Sequence, residues 1–208
     1  MTLFLQARSL LLLAVFVPFL AGCFGVAAVG VGAGALVFAD RRQAETIATD
    51  EGIKIRASNR VAEKYGSRAN VNVTSYNRTV LLTGEAPDAA AKAEIETIVA
   101  AVPNVKAISN ELQIGPATTL SQRANDSFIT SKVKARFIDA NQFAANHIKV
   151  VTENSMVYLM GLATQREANA AVEIARTTAG VHKVIRVFEI ISDAEAHRLD
   201  PPPSKPAQ

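Results

Sequence analysis

The second half of this chain repeats the first. Residues 71–86, VNVTSYNRTVLLTGEA, align with residues 148–163, IKVVTENSMVYLMGLA, so that Asn77 falls on Asn154 and Gly84 on Gly161. Residues 105–114 match 181–190 after a one-residue deletion, and Ile53, Arg56, Ala57, Arg60 and Val61 fall on Ile129, Lys132, Val133, Arg136 and Phe137. Self-similarity at this period means two copies of one small domain of roughly 70 residues. A domain that small has little core of its own, which narrows the folds open to it.

Each copy parses as helix, strand, strand, helix, strand. Val71, Val73, Val80 and Leu82 alternate, as do Ile148, Val150, Val157 and Leu159, so each strand pair has one buried face. Asn77 and Asn154 stand where the hairpins turn and tolerate positive φ; Gly84 and Gly161 are expected to close the second strands. Helical spacing of apolar residues follows over 89–102 and 166–179. The fold class is α+β, with two tandem αββαβ domains, each a small mixed three-stranded sheet carrying two helices on one face. The expected boundaries are 46–115 and 121–192, joined by 116–120. The residues from 193 to 208, with Pro201, Pro202 and Pro203, are expected to be disordered.

Ahead of the repeat, 9–39 contain no charged residue, so the 49% hydrophobic composition is unevenly spread. Arg8 followed by the run 10–20 has the design of a secretory signal. Leu20-Ala21-Gly22-Cys23 then resembles the bacterial lipobox at all four positions. That resemblance implies removal of 1–22 and a Cys23 carrying diacylglycerol on sulfur and an acyl chain on its new amino group. Three chains exceed what stable anchoring needs. Phe24 after the cysteine, where an aspartate commonly retains such proteins in the inner membrane, favours the outer one. Residues 23–45 would then be a Gly/Ala-rich tether. A rival reading makes 10–39 an uncleaved membrane anchor with Gly30 and Gly34 as a packing face, and a blander one makes Cys23 a buried core residue. Gly30, Gly32 and Gly34 have no strand before them, which sets aside a phosphate loop.

The αββαβ repeat, with its strand-Asn-strand-Gly hairpins and closing valine-rich strand, resembles the BON domain. A lipobox followed by two such domains resembles the dual-BON outer-membrane lipoproteins; residues 125–134, 152–154 and 159–162 are especially close. The resemblance covers nearly the whole mature chain. It implies a non-enzymatic, periplasm-facing protein that binds anionic phospholipid through its second domain and supports envelope integrity and cell division. The family's lipid-contacting aromatic falls on Phe128, a phenylalanine where tryptophan is familiar.

The copies differ where their tasks differ. In the first helix of copy two, expected to be capped by Asn125 or Asp126, Ile129, Val133 and Phe137 form the core stripe. Phe128 and Ile138 lie roughly opposite, with Ser131 and Ala135 between them and Lys132 and Lys134 at the edges. An apolar ridge flanked by lysines suits an anionic membrane surface; packing of Phe128 beneath the linker or the first domain is the alternative. Copy one has Gly52, Ile55, Ser58, Asn59 and Ala62 at the matching positions. On the back of the sheet, copy one shows Ser109, Glu111 and Gln113, expected to be solvated. Copy two shows Ile185 and Val187 beside Val151, Tyr158 and Met160, and that face needs a cover. The cover is either the first domain with its linker, or a protein partner or second copy.

The chemistry of enzymes is missing from the sequence. His147, His182 and His197 lack metal-ligand spacing, and one cysteine leaves no disulfide or CxxC chemistry. No nucleophile elbow or HExxH motif occurs, and no cofactor or small-molecule substrate is expected. The net charge of +3 loses Arg8 with the signal, leaving too weak a field for nucleic acid. The expectation is an outer-membrane lipoprotein that reads anionic phospholipid. The alternative is a periplasmic adaptor whose domains bind envelope or division proteins.

Overall fold

The computed structural model of the protein describes residues 40–200. The signal, Cys23, the tether up to residue 39, the rival 10–39 anchor and the tail from 201 onward lie outside the described residues, whereas 40–45, expected to belong to the tether, are described and the first helix begins within them at Ala44. Among the described residues no helix is long and apolar enough to cross a membrane.

Copy one opens with α1 (Ala44–Tyr65), whose buried residues Asp50, Ile53, Ala57, Val61 and Tyr65 recur at three- and four-residue spacing on one face. A short 3-10 turn leads to β1 (Asn70–Tyr76) and β2 (Thr79–Ala86), then α2 (Ala89–Ala100), and a third strand interrupted into β3 (Ala107–Asn110) and β4 (Gln113–Ile114). Copy two runs α3 (Leu120–Ala140), a 3-10 turn Ala145–His147, β5 (Lys149–Glu153), β6 (Met156–Ala163), α4 (Gln165–Arg176) and an unbroken β7 (Lys183–Ile190). In each sheet the second strand is central. It is antiparallel to the first and parallel to the third, as a hairpin followed by a helical crossover requires. Val80 and Leu82 pack with Ile53, Ile95 and Val99; Val157 and Leu159 pack with Ile129, Val133, Phe137 and Ile174.

A buried aspartate organises each copy. Asp50 accepts hydrogen bonds from the backbone N–H groups of Asn77 and Arg78 at 2.8 and 2.7 Å and from the Ser75 hydroxyl at 2.7 Å. Asp126 accepts from the N–H groups of Asn154 and Ser155, both at 2.8 Å. The turn residues have φ of 49° and 65° in copy one and 51° and 61° in copy two, the left-handed pair that a type I′ hairpin needs. Arg78 and Ser155 are side-chain-bearing residues in a region that disfavours them, and the carboxylate holds the strained turn to its own helix. Asp126 is therefore no helix cap. Thr119 caps α3 in a reciprocal box with Gln122, and the helix starts at Leu120.

Gly84 and Gly161 lie inside the second strands rather than closing them. A Cβ at Gly84 would stand 2.1 Å from the Asn70 carbonyl oxygen, and one at Gly161 2.5 Å from that of His147, so both glycines serve close backbone approach.

The two copies pack back to back as one compact unit. Tyr76 and Leu81 of the first sheet meet Tyr158, Met160 and Leu162 of the second, with Val151, Met156, Ile185 and Val187 around them. Polar bonds ring this contact: Asn72 Nδ2 donates to Glu153 Oε2 at 2.8 Å, and Asn77 Nδ2 and Lys106 Nζ donate to Glu189 at 2.8 and 3.1 Å. Ser109, Glu111 and Gln113 are half-buried at this junction rather than solvated, and Gln113 bonds to Met156 and Asn154 of the other copy. The chain past residue 192 is also ordered further than its composition suggests. α5 (Asp193–Leu199) is capped by Ser192, buries Ala196 and lays Leu199 on the interdomain cluster.

Two outcomes follow. Asp126→Ala leaves two buried N–H groups without their charged acceptor and should cost about 3 kcal/mol in urea unfolding. Tyr158→Ala should cost about 3–5 kcal/mol as a buried aromatic truncation, with the loss falling on the contact between copies.

Candidate functional site

α3 presents two faces of opposite purpose. Ile129, Val133 and Phe137 are wholly buried and seat the helix on its sheet, with the Phe143 ring edge-on to Phe137 at 5.1 Å. On the far side Leu120, Phe128 and Ile138 are 82, 62 and 67% exposed, more than any other large apolar side chain among the described residues. At about 100° per residue, Leu120 and Ile138 stand one above the other after five turns, roughly 27 Å apart along the axis. Ala124, Ser131 and Ala135 fill the strip between that line and Phe128, and all three are exposed. Small residues there let the three large ones stand proud of the helix.

The basic residues divide in role. Lys132 lays its ammonium over the Phe128 ring, 4.7 Å from the centroid, and donates to the Ala179 carbonyl just beyond α4. This pins the aromatic upright through a cation–π contact while spending part of the charge on the protein itself. Lys134 is exposed and makes no hydrogen bond or ion pair among the described residues. Arg136 is turned inward, donating to the Ile174 carbonyl at 2.9 Å and Thr178 at 2.8 Å. Among the described residues the two lysines thus differ, Lys132 anchored and Lys134 without a partner, at opposite edges of the apolar strip.

Beside α3, where the copies meet, lies a polar cleft of about 340 Å³ lined by Asn72, Arg123, Asp126, Ser127, Thr130, Thr152 and Glu153. Its groups largely satisfy one another. Asp126 holds the hairpin, Asn72 serves Glu153, and the Thr130 and Thr152 hydroxyls bond at 2.7 Å. Burial, with Glu85 and Asp126 nearby, pushes the Glu153 carboxyl up, against the Asn72 bond that lowers it. The cleft is a structural junction between copies.

The structure brings Phe128, Ser131, Lys132, Lys134, Ala135 and Ile138 together on one exposed strip of one helix. It sets Val151, Tyr158, Met160, Ile185 and Val187 together on a different surface, where Tyr76 and Leu81 of the first copy lie against them. Sequence reasoning missed Leu120. The signal was present, because Thr119-Leu-Ser-Gln122 is a capping-box pattern that moves the helix start forward and carries the strip with it. Reasoning also missed Arg41 and weighed His147 only as a metal ligand; the two meet in the fold from distant parts of the chain, and no local pattern marks that meeting.

Both copies match the model of the BON domain, at residues 49–116 and 125–192. The outer membrane lipoprotein DolP of Haemophilus influenzae is 35% identical over 175 residues, covering 83% of this chain and 91% of that protein. A 21 kDa hemolysin of Actinobacillus pleuropneumoniae is 34% identical over 154 residues, covering 73% and 79%. The osmotically inducible protein Y of Escherichia coli is 27% identical over 118 residues, covering 55% and 59%. Likeness to the first of these places the chain at the outer membrane. With the two matches spanning most of its length, the chain belongs to the BON domain family.

Proposed function

We propose that this protein is a lipid-anchored, non-enzymatic component of the outer membrane that docks on anionic phospholipid through α3 and supports membrane integrity and cell division. One observation carries the reading. The three most exposed large apolar side chains among the described residues, Leu120, Phe128 and Ile138, lie on one strip of one helix, bordered by Lys132 and Lys134. A folded domain gains nothing from holding such residues in water, whereas the boundary of a bilayer accepts them and lipid phosphates accept the ammonium groups. Each cation near an anionic leaflet contributes about 1 kcal/mol. The alternative, an adaptor whose domains bind envelope proteins with lipid contact incidental, loses one surface for such a partner, since Tyr76 and Leu81 occupy the back face of the second copy. Anchoring in this reading is covalent, through diacylglycerol and an N-acyl chain on Cys23.

The test is co-sedimentation of unlipidated protein from residue 39 onward with vesicles of mixed anionic and zwitterionic phospholipid. Wild type should bind in proportion to anionic content, and less as salt rises. Phe128→Glu should weaken binding at least tenfold, since burying an aromatic side chain is worth about 1.5–3 kcal/mol. Binding of Phe128→Glu equal to wild type would remove α3 as the docking element. For the anchor, Cys23→Ser should abolish incorporation of labelled palmitate in cells and leave the chain in the soluble or unprocessed fraction.

A further inference from the structure

We propose that His147 is an acid-sensitive latch on a clamp that fastens both ends of the folded body to the second domain. The clamp is built on Arg41, which precedes α1 and so precedes the whole first copy, yet is buried against the second. Its Nη1 donates to the Leu162 carbonyl at 2.8 Å and to Glu167 Oε2 at 2.7 Å, and its Nη2 donates to Glu167 Oε1 at 2.9 Å. Its Nε donates to Asp200 Oδ1 at 2.7 Å. Asp200 stands directly after α5, and its own N–H donates to the Ala196 carbonyl at 2.9 Å. One guanidinium therefore joins the segment leading into the first copy, the start of α4 and the end of α5.

His147 sits inside this arrangement with its ring 6% exposed, and neither ring nitrogen has a hydrogen-bond partner. Nε2 lies 3.6 Å from Asp200 Oδ1, the oxygen that Arg41 Nε already holds. The groups facing the imidazole come from every neighbouring segment. They are Asp40 and Arg41 ahead of α1, Tyr76 of β1, whose hydroxyl donates to the His147 carbonyl at 3.5 Å, Glu167 of α4, and Asp200. Arg42 stacks on the Tyr76 ring, 4.0 Å from its centroid, and its guanidinium holds both Asp40 and Asp50 at 2.7 Å. A proton on His147 places an imidazolium beside the Arg41 guanidinium and makes both compete for Asp200.

Burial, then the Arg41 charge, disfavour that proton, while Asp200, Glu167 and Asp40 favour it; the balance leaves the imidazole below its ordinary 6.5. The folded clamp thus binds fewer protons than the opened one below pH 6.5. Its stability is complete above that value and falls as pH drops toward the folded value. Burial raises the Glu167 carboxyl, but the Arg41 bonds and the Thr164 N–H outweigh it and hold it at about 2. Its own contribution begins to fade only below its ordinary 4.5, so within the clamp the interval from 6.5 to 4.5 is that of His147, while Glu153, whose carboxyl burial raises, lies outside the clamp at the seam between the copies. What acid loosens is the Arg41–Asp200 fastening, and with it α5, whose Leu199 lies on the interdomain cluster.

The test is amide hydrogen exchange on the full chain in detergent, normalised to intrinsic rates, at pH 7.5 and 5.0. Protection at Ala196 and Asp200 should fall on acidification, by up to about tenfold per pH unit for one proton taken up, while the β6 core stays protected. His147→Gln should remove the pH dependence of α5. If that variant fails to fold, the wild-type protein decides alone: the His147 ring and the α5 amides should titrate with one midpoint below 6.5 in NMR spectra. A His147 midpoint at or above 6.5, α5 protection indifferent to pH, or an undiminished acid response in His147→Gln each overturns the latch.

Discussion

The structure depends on one contact, the burial of the second copy's apolar sheet face under the first. Tyr158 and Met160 are almost wholly covered, and Tyr76 and Leu81 supply the cover. Neither copy alone has a second layer for that side of its sheet. Pairing them gives each sheet helices on one face and the other sheet behind it. Everything outside follows from this closure. With the sheet backs used up, the second copy shows its helices outward, and its exposed apolar strip lies on α3. The chain entering copy one and the chain leaving copy two are also brought within reach of each other at Arg41 and Asp200.

The contact is asymmetric, and the asymmetry explains how the duplicated sequence diverged. Copy two contributes the apolar residues Val151, Tyr158, Met160, Ile185 and Val187. Copy one contributes Tyr76 and Leu81 and otherwise polar groups, among them Asn72, Asn77 and Gln113, that bond across the seam. A polar rim around an apolar centre fixes register as well as affinity. Glu153 shows the cost of that choice. Its carboxyl is buried beside two others, and Asn72 answers it only with a neutral donor. The third strand of copy one is interrupted at Glu111 and Leu112, and Leu112 enters the helix-side core there; β7, which lines the apolar face, is continuous.

Much of the fold was legible in the sequence because repetition doubles every signal. Strand alternation, the hairpin asparagines and the core stripe of each helix appear twice and agree. What stayed hidden was long-range or small. Asp126 reads as a helix cap because aspartate ahead of an apolar stripe usually is one; its real partners, the N–H groups of Asn154 and Ser155, lie 28 and 29 residues away. Gly161 reads as a strand end, but the His147 carbonyl that requires it is invisible locally. The α5 helix was masked by the prolines that follow it. Of the docking strip, Phe128 and Ile138 were readable from helical phase alone, whereas Leu120 required the capping box to be recognised first. The Arg41 clamp joins residues 126 and 159 positions apart, and nothing in either neighbourhood announces it.

The proposed anchoring and the proposed docking strip differ greatly in strength, and that difference defines what the strip can do. Acyl chains on Cys23 would already hold the protein at a bilayer far more firmly than two lysines and three apolar side chains. The strip therefore adds little to residence on the membrane. It adds orientation. A tethered body samples the nearby surface at high effective concentration, so a contact of a few kcal/mol suffices to decide which face lies against it. Because that contact depends partly on charge, its strength varies with the local content of anionic lipid, while the anchor is indifferent to it. A strong, unselective attachment joined to a weak, selective one keeps a protein in one membrane and still lets it distinguish regions of that membrane. Under the proposed function the weakness of the strip is useful in itself, since a tighter ridge would bind everywhere alike.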